Sequence, residues 1–275
     1  MKRLSLLLLL LLASCDNKNG NAWLGYVEGE DAFISAPQPG WLYHLAVQRG
    51  QAVKRGDLLF RLDDTHETAA RDQAIANIAQ AKAQIAQEQA NLDYSRKQLT
   101  RQTGLARVGA GIPATLDQAV STLQQSQSHI AQLEAQVRQY EAALADAQYQ
   151  LAQRDIVAYV SGRVEDIYFR EGEYVPAATP VISVLPPANV YVRFFVPETD
   201  LARVKLNQKV KISCDGCAKG LAAQITFIAQ QEEFTSPDIF SVGNREKLVF
   251  KLEARAPGGL RLNPGQPVEV RPLSP

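Results

Sequence analysis

The sequence is poor in aromatic residues, histidine and cysteine, and it has no surplus of either charge. Lys plus Arg number 29 and Asp plus Glu number 29, so nothing in the composition points to nucleic acid or to a broadly charged surface. The three histidines, His44, His66 and His129, are scattered without a ligand spacing and are read as surface residues. No Ser/His/Asp or Cys/His set, phosphate-binding loop or paired-carboxylate site is evident. The sequence therefore points away from an enzyme. After Cys15 no run is apolar enough to cross a bilayer as a helix. What is abundant is Ala, Gln and Leu, which with only 7% aromatics points to long helices in part of the chain. The 275 residues suffice for two or three modest domains rather than one large core.

The N-terminus reads as an address. Met1-Lys2-Arg3 is basic, and Leu4 to Leu12 is an apolar run broken only by Ser5, about nine residues against the roughly 20 that span a membrane. Leu12-Ala13-Ser14-Cys15 resembles a bacterial lipobox, which makes Cys15 the expected lipidation site and mature N-terminus. The alternative is an ordinary signal peptide with an incidental cysteine. Asp16 resembles the signal that retains a lipoprotein at the inner membrane. Lipid here would anchor the chain without spanning the bilayer. In an exported protein, Cys214-Asp215-Gly216-Cys217 has three readings: a disulfide closing a tight turn, a labile thiol pair, or half of a metal site that lacks two ligands.

Two β-type segments resemble each other. The first runs Ala36-Pro37-Gln38-Pro39-Gly40-Trp41-Leu42, then Val47 to Val53 and Gly56 to Leu59; the second runs Ala158-Tyr159-Val160-Ser161-Gly162-Arg163-Val164, then Phe169 to Val175 and Pro180 to Ile182. Each has a turn glycine before a strand, a second glycine in a charged turn, and an apolar run at the end, which suggests one small β-domain cut in half. Between them Asp64 and Glu67 form a capping-box pattern. Ile78, Ile85, Leu92 and Leu99 then recur every seven residues, and Leu116, Leu123, Ile130, Val137, Leu144 and Leu151 keep the same period on a second helix. Sustained heptads on two helices predict an antiparallel coiled coil, a rod on the order of 60 Å. Gly104, Gly109, Gly111 and Pro113 supply its turn. The companion positions are weaker, among them Ala81, Glu88, Ser95, Ser126 and Ala147, so the rod is either self-sufficient or packed against neighbouring copies. After Leu185-Pro186-Pro187, a short helix from Pro197 to Leu206 and strands near 190–196, 209–213, 222–229, 247–254 and 267–271 suggest a small β-barrel. The expected division is a signal peptide over 1–15, a tether and a strand given to the barrel over 16–35, the first half-domain over 36–63, the helical hairpin over 64–154 with its tip at about 104–114, the second half-domain over 155–186, and the barrel over 187–275.

This order resembles the HlyD-type periplasmic adaptor, or membrane fusion, proteins, and the two half-motifs look like the halves of a lipoyl-like domain. The resemblance implies a mixed α and β fold: a lipoyl-like β-domain split by a long antiparallel coiled-coil hairpin, plus a small β-barrel. It implies an adaptor between an inner-membrane transporter and an outer-membrane channel, assembled as a homo-oligomeric ring. Cys214-Asp215-Gly216-Cys217, Glu233-Phe234-Thr235-Ser236-Pro237 and Lys247-Leu248-Val249-Phe250 look like a subgroup associated with ABC-type exporters, so an ABC-type permease and ATPase is the implied partner. Adaptors that dock onto TolC-type channels share an Arg, a Leu four residues later and a Ser seven further on. Arg101 and Leu105 match, and the third position is Ile112. With Val108 these form the implied docking tip; otherwise Leu105 and Ile112 close the end of the coil. No prosthetic group is expected, because the hairpin occupies the turn where a carrier domain presents its lysine, and Lys54 lies within the first half. The competing functions are a lipid-anchored tethering module without a conduit, and a thiol oxidoreductase acting through Cys214 and Cys217.

Overall fold

The computed structural model describes residues 22–218, 220–234 and 248–273. Cys15 and Asp16 lie outside them, as do Thr235-Ser236-Pro237 and Lys247. The chain begins with β1 (Trp23–Gly29) and β2 (Ala32–Ser35), then β3 (Gly40–Leu45), β4 (Ala52–Val53) and β5 (Leu58–Leu62). Two long helices follow, α1 (Thr65–Arg107) and α2 (Pro113–Ala152). The return half contains β6 (Asp155–Val157), β7 (Gly162–Ile167), β8 (Tyr174–Val175) and β9 (Pro180–Leu185). The remainder is β10 (Val190–Pro197), a short helix α3 (Glu198–Leu201), β11 (Lys209–Ser213), β12 (Leu221–Phe234), β13 (Leu248–Arg255) and β14 (Pro267–Pro272).

The repeat in the sequence is a repeat in space. Two four-stranded sheets form a sandwich, ordered β2-β9-β7-β4 and β6-β5-β3-β8. Each sheet takes two strands from before the hairpin and two from after it, so neither half closes a core alone. The turn hydrogen bonds repeat as well. Gly50 N–H donates to Val164 O at 2.8 Å and Gly172 N–H donates to Leu42 O at 2.8 Å; Gly56 donates to Ala158 O as Ala178 donates to Ala36 O. The core packs Leu42, Leu59, Phe60 and Leu62 from the first half against Val164, Val175, Val181 and Ile182 from the second. Strand β2 pairs with β9. Residues 32–35 thus belong to the sandwich, not to the tether-and-barrel segment expected from sequence, because Ile34 alternates into this core.

Gly56 and Ala178 occupy matching turns at φ +95° and +59°. A side chain at positive φ costs roughly 1–2 kcal/mol. Ala178→Gly is therefore expected to stabilise the sandwich by about 1 kcal/mol, after the entropy of glycine is subtracted, and to raise Tm by roughly 2–4 °C. A calorimetric Tm equal to or below that of the parent would contradict this.

The barrel is closed, in the order β1-β10-β13-β12-β11-β14. Alternation sends Val192, Phe194 and Val196 of β10 inward with Val27, Val210, Ile212, Ile225, Leu252 and Val270. At one end Trp23 stacks on Phe194, ring centroids 5.8 Å apart, and its indole Nε1–H donates to Asp200 Oδ2 at 3.2 Å. The expected helix over Pro197–Leu206 is reduced to the four residues of α3. Its continuation is a turn in which Arg203 N–H bonds to Asp200 O and Asn207 N–H to Ile225 O, which sets Val204 into the barrel core.

Candidate functional site

The hairpin is the feature that leaves the body of the protein, and its base, seam and tip are built differently. At the base the capping box does not form. Asp64 makes no side-chain cap; instead Asp63 Oδ1 accepts from Thr65 N–H at 3.0 Å and from its hydroxyl at 2.6 Å. Glu67 is drawn away by a stronger partner. Arg154, just past α2, donates from Nη2 to Glu67 Oε1 at 2.5 Å and from Nη1 to Pro39 O at 2.9 Å. The Arg154 carbonyl accepts from Leu62 N–H at 2.9 Å. Both side chains are nearly closed off from solvent, 13% and 10% exposed. Burial on its own would raise the Glu67 pKa, but the hydrogen bond and charge of Arg154 outweigh it and hold the carboxyl below its ordinary range. This latch joins the start of α1, the end of α2 and the first half of the sandwich. A pairing 87 residues apart left no local signal in the sequence.

Along the seam, Ile78, Leu92 and Val137 are buried, and Ile85, Leu99, Leu116, Leu123, Ile130, Leu144 and Leu151 are half-buried. None of the ten faces open solvent. The companion positions Ala81, Ser95, Ser126 and Leu133 are buried beside them. Halfway along, Glu88 of α1 lies 3.3 Å from His129 of α2. Lys82 and Glu141 pair at 3.8 Å nearer the base, and Thr115 donates to Gln102 at 3.3 Å near the tip. These pairs run in opposite sequence directions, as antiparallel helices require.

The tip is tight. Ala110 N–H bonds to Leu105 O and Gly109 N–H to Ala106 O, with Gly109 at φ +75°. This pair of bonds is the Schellman closure of a helix C-terminus. A Cβ on Gly111 would lie 2.6 Å from Ala106 Cα, so only glycine lets the chain turn back here. Ile112 is the N-cap of α2 and supplies no side-chain cap, with Pro113 in the first turn. Leu105, Val108 and Ile112 are 40%, 75% and 64% exposed, and Arg101 is exposed one turn before Leu105. These apolar groups stand at the far end of the rod, with Leu105 the most covered of the three.

On the barrel, Cys214 and Cys217 are joined as a disulfide, with Cα atoms 5.3 Å apart. The Gln266 amide approaches both sulfurs, at 3.6 and 3.4 Å. The bond closes the turn between β11 and β12 beside an open groove of about 640 Å³ that includes Leu260 and Arg261. Elsewhere the barrel wall holds a network around Glu28 that the residues next to it in sequence do not announce. Glu28 Oε2 accepts from the Tyr191 hydroxyl at 2.6 Å and Oε1 from Arg193 at 2.5 Å; Arg193 also reaches Glu253 at 3.0 Å. Burial, followed by the Glu28 hydrogen bond, pushes the Tyr191 phenol well above its ordinary pKa. The alternation Tyr191-Val192-Arg193-Phe194 was the available signal: it puts Tyr191 and Arg193 together on the outer wall, opposite β1. Among the described residues no set of three or more His, Cys, Asp or Glu is placed to hold a metal ion, and no helix is long and apolar enough to cross a membrane.

A split sandwich, a helical hairpin inserted between its halves and an adjoining barrel can now be set beside known proteins. Residues 32–185 match the family model described as RND MFP, barrel-sandwich hybrid domain. The chain is 33% identical over 178 residues to multidrug resistance protein MdtA of Yersinia pseudotuberculosis serotype O:3 (strain YPIII), covering 64% of this chain and 37% of that protein. It is 31% identical over 244 residues to MdtA of Proteus mirabilis (strain HI4320), covering 86% of this chain and 54% of that protein. It thus spans about half or less of the length of these curated relatives. The crystal structure of MacA from Actinobacillus actinomycetemcomitans superposes with a TM-score of 0.68 at 21% identity, covering 90% of this chain and 76% of that one, which speaks to the fold alone. The family match covers the sandwich together with its inserted hairpin, and on that ground the chain belongs to the RND-type membrane fusion protein family.

Proposed function

We propose that this protein is a periplasmic adaptor that joins an inner-membrane transporter to an outer-membrane channel in a tripartite efflux or secretion assembly. Its contribution is structural: copies ring a conduit, sandwich and barrel sit near the transporter, and the hairpins point away toward the channel. The observation that carries this reading is the rod itself, held rigidly at its base by Arg154 and Glu67 and left apolar at its tip by Leu105, Val108 and Ile112. Large apolar groups at the end of a polar rod are the usual mark of a contact surface. Lipid on Cys15, with Asp16 favouring the inner membrane, would hold the protein at the transporter side.

Two transporter classes compete. The sequence pattern around Cys214 and Cys217 favours an ABC-type permease and ATPase, whereas the family model carries the RND name. Affinity capture of the lipidated protein from crosslinked membranes, read by mass spectrometry, tests the function and separates the classes. Recovery of a transporter together with a TolC-type channel is the expected result, and the transporter's class follows from its sequence. Recovery of envelope proteins without any transporter would overturn the adaptor reading in favour of a tethering module.

A further inference from the structure

The hairpin carries a second heptad pattern, on the two faces turned away from its seam. On α1 these outward positions hold Ala76, Ala83 and Ala90 at seven-residue spacing, flanked by Gln73, Gln80 and Gln87. On α2 they hold Ser128, Ala135 and Ala142, flanked by Gln125, Gln132 and Gln139. All are exposed. A helix face that only has to stay in water is normally charged. From Gln73 to Ala90 the outward face of α1 has no charged residue, and from Gln125 to Ala142 that of α2 has only Arg138. Glu134 and Glu141 stand one turn to either side of Arg138 on its own helix.

The two faces match in height. Within the rod Glu88 meets His129, and Gln102 meets Thr115. Continuing that level along both helices sets Ala76 at the height of Ala142, Ala83 at that of Ala135 and Ala90 at that of Ser128, to within a residue. Gln80 falls near Gln139 and Gln87 near Gln132. These residues point to opposite sides of one hairpin and cannot meet within it. Between two copies standing side by side they can meet, α1 of one against α2 of the next. Small side chains then let the helix axes approach closely, and the flanking amides can donate to and accept from each other.

The outward charges complete the match. Asp72 and Asp93 of α1 are held by Arg71 and Arg96, which leaves Lys97 and Arg101. On α2, Asp117 and Asp146 remain. All four are exposed, and none has an ion pair among the described residues. Lys97 and Arg101 fall near the height of Asp117 in a neighbouring copy, and Asp146 near that of Gln73. Asp72 and Asp146 reach one height only on opposite edges of the contact. Arg107 lies beyond the first turn of α2 and has no counterpart.

We propose that the outward face of α1 packs on the outward face of α2 in a second copy. The contact is a second antiparallel seam of alanine, serine and glutamine, which Lys97 and Arg101 close on Asp117. Because the two faces differ, the contact is head-to-tail and closes as a ring. The proposal rests on the reading of the protein as an adaptor whose copies surround a conduit.

Disulfide trapping of the full, processed chain in its own membrane tests the seam. In Ala83→Cys/Ala135→Cys the two thiols are level. Within one chain their Cα atoms are more than about 12 Å apart, whereas a disulfide needs less than about 7 Å. Mild oxidation should therefore give a reducible ladder of multimers. Ala83→Cys/Ser121→Cys, about 21 Å off level, should give at least about tenfold less. Both should keep the parental melting curve. Asp117→Lys should weaken the ladder of the level pair, and adding Lys97→Glu/Arg101→Glu should restore it. Capture of transporter and channel from the same membranes reads the adaptor function separately. Absence of the ladder overturns the seam whether or not they are captured, as do equal ladders from the two cysteine pairs or adducts to a different protein instead. A ladder confined to the level pair supports the seam even where neither is captured, and the adaptor reading then falls.

Discussion

Arg154→Ala is expected to destabilise the protein by about 3–5 kcal/mol at pH 7, the range seen when one partner of a buried ion pair is removed. The loss is large because the Glu67 carboxylate would stay behind, 10% exposed, with its charge-assisted bond gone and only His66 Nδ1, 3.7 Å away, left beside it. The Pro39 carbonyl would lose its donor as well. Arg154→Lys keeps the charge but not the fork that spans Glu67 and Pro39, and should fall between parent and alanine variant. Replacing both partners by apolar residues of similar size, Glu67→Leu with Arg154→Met, should recover much of the loss, since no charge is then stranded. Urea unfolding followed by circular dichroism is the measurement. A loss below about 1 kcal/mol for Arg154→Ala would mean that the latch behaves as a surface pair.

The same pair gives a pH signature. The folded-state pKa of Glu67 lies below its ordinary value, so its contribution is fully present above the unfolded carboxylate pKa, roughly 4.3. It declines as pH falls through that value and on through the lower folded-state pKa. The stability gap between parent and Arg154→Ala should therefore narrow on acidification, beginning where the stranded Glu67 carboxyl of the variant, its pKa raised by the loss of its partner, takes up a proton, and continuing below about pH 4. A gap that widened on acidification would contradict the sign.

Much of this architecture was legible because it is periodic. The half-domain repeat appears in sequence through Gly50 and Gly172, and in space those two residues make matching bonds across the sandwich. Heptads announced the hairpin because a seam shared by two helices must recur every seven residues; of the expected positions Ile78, Leu92 and Val137 are buried and the others half-buried. What was misread has a common cause. Asp64 and Glu67 satisfy a local capping rule, yet Arg154 offers Glu67 a bond that no window of a few residues contains. Pro197 to Leu206 looks like a helix, but Val204 is wanted by the barrel core, and the chain must leave helical geometry to deliver it. Glu28 has no partner within its own stretch of sequence; Tyr191 and Arg193 are brought opposite it only by strand pairing. In each case a tertiary partner overrode a local preference. The tip residues stood out only through the family pattern, since three exposed apolar side chains near a turn look like any other loop until their exposure is known.

Ile112→Asp should abolish capture of the outer-membrane channel, by tenfold or more, while leaving the protein as stable as its parent or slightly more so. The two effects separate because of where Ile112 sits. It is the N-cap of α2, with extended backbone angles and no side-chain cap of its own, and aspartate is among the best residues for that position, worth about 1 kcal/mol over an aliphatic side chain. It also favours the positive end of the helix dipole. Little packing is lost, because the isoleucine is 64% exposed. A carboxylate there would nevertheless have to be stripped of water in any apolar interface, at a cost of at least about 1–3 kcal/mol. Ile112→Ser provides the contrast: it also caps α2, carries no charge, and matches the residue that the docking pattern places here, so it should keep or improve channel capture. Val108→Asp, 75% exposed in the parent, should behave as Ile112→Asp does without the capping gain. Crosslinked co-purification of the channel, run beside thermal melts, reads both properties. Undiminished capture by both aspartate variants, at parental stability, would show that the tip is not the docking surface and that the rod meets its partner along its sides.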